Sequence, residues 1–332
     1  MIQRKSCENG GVRKGIMVLY IVVPCYNEED VITETAKRLK AKIGELVGKG
    51  KISGKSRIVF VNDGSKDKTW EIIQNLHGGD PCFSGINMAA NAGHQNAVMA
   101  GLMTVKGCCD AAVTMDADLQ DDVNALDEMV EKHIEGCDVV YGVRSSRGKD
   151  PFFKRFTAEG FYRFMRSMGA NVVFNHADYR LMSKRVLESL SGFKEVNLFL
   201  RGIIPLIGFK SGTVYYERGE RYAGESKYPF SKMLAFAING ITSFSVKPLR
   251  IITVIGLFMI IFSLLAFLYI LLSLILGHNW LQRGWASTMS SIWLIGGIQT
   301  FSIGVIGEYI GKIYFETKSR PRYIIESFIN DG

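Results

Sequence analysis

The chain has 332 residues, 47% of them hydrophobic, with 40 lysines and arginines against 32 aspartates and glutamates, a formal charge of +8. That length holds one large domain plus something smaller and buries a sizeable core. The excess charge asks for an anionic partner, and with no basic-aromatic nucleic-acid module in the sequence, membrane lipid headgroups are favoured and nucleic acid is set aside. The six cysteines, Cys7, Cys25, Cys82, Cys108, Cys109 and Cys137, show no C-x-x-C metal pair, so free thiols are expected.

Residues 1–16 are polar, basic and glycine-containing and read as an N-terminal tail. The apolar run Val18–Val23, stopped by Pro24, predicts a strand of a parallel sheet covered on both faces. A helical pattern follows over about 28–47, then the glycine-punctuated loop Gly48–Lys51 and a strand over 57–61. Next come a helix over about 68–76, a strand over 83–88 and a helix over about 95–104. Ala111–Met115 predicts a fourth strand, 123–135 a helix and 138–141 a fifth strand. This alternation predicts a doubly wound α/β sheet built of right-handed crossovers.

In such sheets ligands bind beyond the carboxyl ends of the strands. Here those ends offer Pro24, Tyr26 and Glu28, then Asn62 and Asp63, then Asn91 and His94, then Asp116 and Asp118, then Arg144. Asp116 and Asp118, with Gln120 just beyond, are hard oxygen ligands suited to Mg²⁺ or Mn²⁺, which keep positions open for substrate phosphates. Neither a G-x-G-x-x-G nor a Walker loop occurs, so a bound diphosphate needs such a metal. The pattern therefore points to a nucleoside-diphosphate substrate, with Glu28 and Asp63 suited to ribose and base. Both residues also have local readings, since Asp63-Gly64 is a turn signal and Glu28 suits the first turn of a helix.

Two later stretches, Ile251–Leu276 and Ala286–Gly307, carry no charge. The first, as a helix, is about 39 Å long against roughly 30 Å of bilayer hydrocarbon, and the second is also long enough to span. Lys247 and Arg250 precede the pair, Lys312, Lys318, Arg320 and Arg322 follow it, and the connection Gly277–Trp285 carries only Arg283. By the positive-inside rule both flanks are cytoplasmic. The expected organisation is a cytoplasmic domain over 17–228, an amphipathic interfacial helix over 229–249, a two-helix transmembrane hairpin over 250–312 and a cytoplasmic tail over 313–332. A helix packed on the domain core is the alternative for 229–249.

Seven ordered stretches carry a family resemblance: Val23–Glu29, Val61–Ser65, Asn91–Gln95, Met115–Gln120, Ala177–Met182, Gly224–Tyr228 and Glu308–Lys312. In this order, and with the hairpin, the chain resembles the family-2 glycosyltransferases that load a sugar onto a polyprenyl phosphate, such as bactoprenol glucosyltransferases and dolichyl-phosphate mannose synthases. The resemblance covers Met17 to about Ile325. It implies a GT-A fold and an inverting, metal-dependent transfer of a hexosyl group from a nucleoside-diphosphate sugar to undecaprenyl phosphate, for cell-envelope glycan modification. The Asn91–Gln95 stretch is closer to the bactoprenol enzymes, which favours UDP-glucose or UDP-N-acetylhexosamine as donor.

By the same resemblance Asp118 and Gln120 hold the metal, while Asp116 supports the donor. Asp178 lies near the acceptor, as a base or as a positioning group. Arg180 also offers Asp178 an ordinary ion-pair partner. Arg144, Arg147 and Lys227 suit the acceptor phosphate, because a cationic fork or point charge matches its oxygens; a solvated basic loop is the other reading of the two arginines. Two other functions stay open, a catalytically silent membrane scaffold that binds nucleotide sugar or recruits a flippase, and a transferase with a protein or glycan acceptor. Homo-oligomerisation is likewise open.

Overall fold

A computed structural model of the chain describes residues 16–144, 176–196, 199–217, 219, 247–275 and 284–330. Within them, eight strands form one sheet: β1 (Leu19–Cys25), β2 (Arg57–Asn62), β3 (Phe83–Met88), β4 (Ala111–Thr114), β5 (Val139–Arg144), β6 (His176–Ser183), β7 (Ser211–Tyr216) and β8 (Ile325–Ile329). Their spatial order is β7-β5-β6-β4-β1-β2-β3-β8. The helices are α1 (Ile32–Gly48), α2 (Thr69–Gly79), α3 (His94–Val105), α4 (Ala125–Ile134), α5 (Lys184–Leu190), α6 (Leu200–Leu206), α7 (Lys247–Ile275) and α8 (Trp285–Lys318).

The uninterrupted apolar strands sit where both faces are covered, as such runs require. All seven residues of β1 are buried. Leu19, Ile21 and Val23 face a core built with α1, α2 and α4, while Tyr20 and Val22 face a second core built with α3, α5 and α6. β1 continues through Pro24 rather than stopping before it. Its pairing with β4 ends at Val22–Thr114, whereas pairing with β2 runs on to Cys25–Asn62. A residue without an N–H is tolerated where one flank of the strand has no ladder partner. α1 begins at Ile32, later than the pattern from Glu28 implies, because Val31 and Ile32 both donate to the Glu28 carbonyl in a preceding turn.

The sheet is mixed: the five expected strands run in one direction, and two further strands oppose them. β1 to β4 are parallel, but β6 runs antiparallel between β4 and β5, and β8 runs antiparallel along the outer edge of β3. The segment expected to be a tail therefore returns to the sheet. Ser84 donates to Asn330 at 2.9 Å, and Asn62, Asn87 and Glu326 form a chain of amide and carboxylate contacts at 2.7 and 2.6 Å across three strands. Cys25, Cys82, Cys108, Cys109 and Cys137 are free thiols, as expected.

α7 and α8 have 29 and 34 residues, about 43 and 51 Å at the rise of an α-helix. They carry exposed apolar side chains, including Phe258, Phe262, Phe301 and Ile303. Among the described residues, no helix is long and apolar enough to cross a membrane. Residues 229–246, the greater part of the expected interfacial helix, lie outside the described residues.

α3 packs flat on β1 and β2 because Gly101 presents no side chain there. A Cβ at Gly101 would lie 2.3 Å from Val22 Cγ1 and 2.9 Å from Val61 Cγ2. Gly101→Ala is therefore expected to destabilise the fold by ~1–3 kcal/mol, the usual cost of overpacking a core. Thermal unfolding checks it, with Gly107→Ala, whose Cβ meets nothing within 4 Å, as the neutral control.

Candidate active site

The loops after β1, β2 and β3 form one knotted rim. Asn27 adopts φ 53°, and its side chain accepts from the Lys66 amide at 2.9 Å while its own amide donates to Ser65 Oγ at 3.0 Å. The Glu28 amide donates to Thr69 Oγ1 at 2.9 Å. Gly64 takes φ 63°, and a Cβ there would lie 2.5 Å from the Asn91 amide nitrogen, so the second and third loops touch through a residue only glycine supplies. Asp63 is buried, and its two carboxylate oxygens accept from the amides of Ala92 at 2.7 Å and Gly93 at 3.0 Å. Burial raises the Asp63 carboxyl pKa against those two bonds. Asp63 thus shapes the turn that starts α3, while Tyr26 and Asn91 stand exposed on the rim.

Beyond β4 the chain turns sharply at Leu119, a buried residue with φ 56°, a conformation uncommon outside glycine and concentrated at functional sites. The turn folds the Gln120 amide back onto Asp118 Oδ1 at 3.1 Å, and the Gly219 amide donates to the Gln120 carbonyl at 2.9 Å. Asp121, buried behind it, accepts from Tyr216 Oη at 2.5 Å and from Arg144 at 3.3 Å. Arg144, expected at the acceptor phosphate, is therefore engaged in fixing the acidic loop to the ends of β5 and β7. A cavity of about 470 Å³ opens between this loop and α1, lined by Arg38, Lys42, Gln120 and Glu217, and it includes neither His94 nor Asp178.

Asp178 arrives from β6. Thr114 at the end of β4 donates its hydroxyl to the Asp178 carbonyl at 2.5 Å, so the two strands deliver Asp116 and Asp178 side by side. His94, the first residue of α3, stands between them, with Nε2 3.6 Å from Asp116 Oδ1 and 3.7 Å from Asp178 Oδ2. Arg201 from α6 spans both Asp178 oxygens, Nε to Oδ1 at 3.2 Å and Nη2 to Oδ2 at 3.1 Å, and the buried Arg180 also donates to Oδ1.

These neighbours drive the two aspartates apart. Burial pushes the Asp116 carboxyl up to about 6; His94 opposes this, but the nearby Asp121, Asp178 and Asp118 charges add to it. Burial also pushes Asp178 up, but His94, Arg180 and Arg201 outweigh it and hold the carboxyl well below the usual range. For His94 burial works against the charged imidazole, and Asp178 and Asp116 prevail and raise its pKa.

The structure thus brings together Asp116, Asp118, Gln120 and Asp178 along one edge, with Pro24, Tyr26, Glu28, Asp63 and Asn91 along the adjoining rim. Arg147 and Lys227 lie outside the described residues. Sequence reasoning did not assign roles to Asp121 or Arg201. Asp121 lay within the acidic stretch but outside the Asp-x-Asp pair, and a lone arginine in the short apolar segment of α6 gave no signal.

A model of Glycosyl transferase family 2 matches residues 20–191, and one of the GtrB C-terminal hairpin matches 247–313. The chain is 50% identical to an uncharacterized glycosyltransferase, YkoT, of Bacillus subtilis (strain 168), across 93% of this chain and 91% of that one. It is 41% identical to the bactoprenol glucosyl transferase of Shigella phage SfX, across 94% of this chain and 99% of that one. A solved structure of glucosyl-3-phosphoglycerate synthase from Mycobacterium tuberculosis with Mn²⁺ and uridine-diphosphate aligns at TM-score 0.43 and 16% identity, over 68% of this chain and 78% of that one. With that family match across the sheet and its rim, and relatives similar over nearly the whole length, the chain belongs to glycosyl transferase family 2.

Proposed function

We propose that the protein transfers a hexosyl group, with inversion, from a nucleoside-diphosphate sugar to a polyprenyl phosphate at the cytoplasmic face of a membrane. The observation that carries this reading is the meeting of Asp116 and Asp178 on His94, which sets a donor-side and an acceptor-side carboxylate next to each other. Relatives at about 40% identity named bactoprenol glucosyl transferases support the acceptor and a glucosyl group; UDP-glucose or a UDP-N-acetylhexosamine is the donor expected from the Asn91–Gln95 stretch.

The donor lies across the loops after β1, β2 and β3, with Tyr26, Glu28 and Asn91 facing the nucleoside and Asp63 holding the turn beneath it. Among the described residues no group of three or more His, Cys, Asp or Glu is arranged to hold a metal by itself. A site of one or two carboxylates fits Mg²⁺ or Mn²⁺, which take their remaining ligands from substrate phosphates and water. Crowding of carboxylates around Asp116 is the charge excess that such a cation relieves. Asp118, with Gln120 beside it, would hold the ion, whose chemistry when bound is to neutralise charge on the departing nucleoside diphosphate.

Asp178, gripped by two arginines and acidic, is unsuited to accept a proton near neutral pH. The acceptor does not require that it should, because a phosphate monoester loses its second proton near pH 6. One anionic phosphate oxygen forms the new bond at the anomeric carbon as the bond to the diphosphate oxygen breaks. The work of Asp178 is then orientation, a contribution that enzymes draw on heavily.

The membrane reading rests on α7, α8 and the hairpin match. β8 lies after both helices yet pairs with β3, so the chain leaves and rejoins the same sheet. A two-span hairpin that enters and exits on one face suits that path and keeps both flanks with the catalytic domain.

Two outcomes test the site. With donor and polyprenyl phosphate both supplied, nucleoside-diphosphate release should require a divalent cation, and Asp118→Asn should lower it by about 100-fold, the scale of losing one electrostatic stabiliser; unchanged release would remove Asp118 from its role. The second outcome concerns pH. A carboxyl whose folded pKa is about 6, above its ordinary 3.8, costs stability as pH rises through that window. Asp116→Asn should therefore raise the unfolding temperature of the ligand-free protein at neutral pH, and the gain should vanish as pH falls below about 4. The gain is modest, because 34% of the Asp116 side chain is exposed and screened. Melting curves across this pH range, wild type against variant, check the sign.

A further inference from the structure

We infer that Arg201 is a positioning residue for the transfer, acting through Asp178; this rests on the acceptor reading above. Arg180 and Arg201 reach the same carboxylate from different elements, and they do different things. Arg180 belongs to β6 itself, two residues away, and holds Oδ1 alone. Arg201 comes from α6 and lays its planar fork across both oxygens, which fixes the rotation of the carboxylate as a single contact does not.

α6 is itself held at its start. The Leu200 amide donates to Gln95 Oε1 at 2.9 Å, and Gln95 follows His94, whose Nε2 stands 3.7 Å from Asp178 Oδ2. The segment leading into α6 is tied to the far end of the hairpin: the Val196 amide donates to Glu316 of α8 at 2.8 Å, and Arg322 donates to the Phe193 carbonyl. Asp178 therefore sits in a ring closed by β6, α3 and α6, and Arg201 is the member that closes it. The fork also offsets negative charge where an anionic acceptor must approach two aspartates.

A guanidinium fork matches a phosphate as well as a carboxylate, and 30% of the Arg201 side chain is exposed. Direct capture of the acceptor phosphate is thus the competing role, and steady-state kinetics separate the two. Through Asp178, Arg201→Met should lower kcat by about 100-fold, the loss expected from misplacing a reacting group by about 1 Å. The KM values for donor and acceptor should stay within about twofold, and Arg201→Lys should recover only part of kcat, since it restores charge without the fork. In an Asp178→Asn background, Arg201→Met should add little, because residues that act as a unit are not additive. Gln95→Leu, which keeps the Arg201 side chain but loosens the start of α6 that positions it, should reproduce the kcat loss at about tenfold and covers the case in which Arg201→Met does not fold. A raised acceptor KM with unchanged kcat, or losses that multiply with Asp178→Asn, would overturn the inference while leaving the proposed reaction standing. A wild-type protein that forms no lipid-linked sugar would remove the reaction itself, and the inference with it.

Discussion

Strand direction decides which end of a strand meets a ligand-binding rim. β6 runs against β4, pairing Arg180 with Thr114 and Ser183 with Ala111, so its early residues reach the edge where β4 ends. A parallel strand in that slot would bring Met182 and Ser183 there and carry Asp178 to the opposite edge. Antiparallel insertion also places Arg180 in the middle of the sheet, almost wholly buried. A buried guanidinium without a partner is severely destabilising, so the Asp178 contact is structural before it is anything else. The position of Asp178 is thus set twice, by the ladder and by the charge that the ladder buries.

The two neighbouring aspartates then acquire different chemistry without differing in kind. Burial and neighbouring carboxylates push Asp116 up to about 6 against His94, whereas the same histidine and two arginines hold Asp178 well below the usual range. Environments that separate the pKa values of paired acids assign their roles. On the proposed reading Asp116, crowded by Asp118, Asp121 and Asp178, suits a divalent ion with its diphosphate. Asp178 belongs to the side already compensated and suits orientation of an acceptor that brings its own negative charge.

The five predicted strands and the helices between them were legible because continuous apolar runs and helical spacing are local signals. The rim was legible for the same reason: a polar residue after an apolar run marks a strand end. β6 was hidden by its own chemistry. His176-Ala177-Asp178-Tyr179-Arg180 alternates polar and apolar residues, which suits a strand with one solvated face, but no local rule says that Arg180 is instead buried against Asp178. The expected ion pair between these two residues is present, and it coexists with the site instead of competing with it. β8 was hidden by distance: Ile325–Ile329 has strand chemistry, but its partner lies more than two hundred residues earlier. Arg201 and the Asp121–Tyr216–Arg144 contacts are likewise tertiary facts, which periodicity cannot supply.

A sheet edge that gathers acids and arginines is joined to a pair of long helices, and the strand after them returns to that sheet. The proposed chemistry at this edge turns on the identity of the acceptor. The most direct measurement is mass spectrometry of the lipid fraction after the purified protein is incubated with polyprenyl phosphate, a divalent cation and a panel of nucleotide sugars. One polyprenyl-phosphate hexose, formed only with its matching donor and accompanied by stoichiometric nucleoside diphosphate, is the predicted result. Nucleotide-sugar binding with no new lipid species from any donor would contradict it.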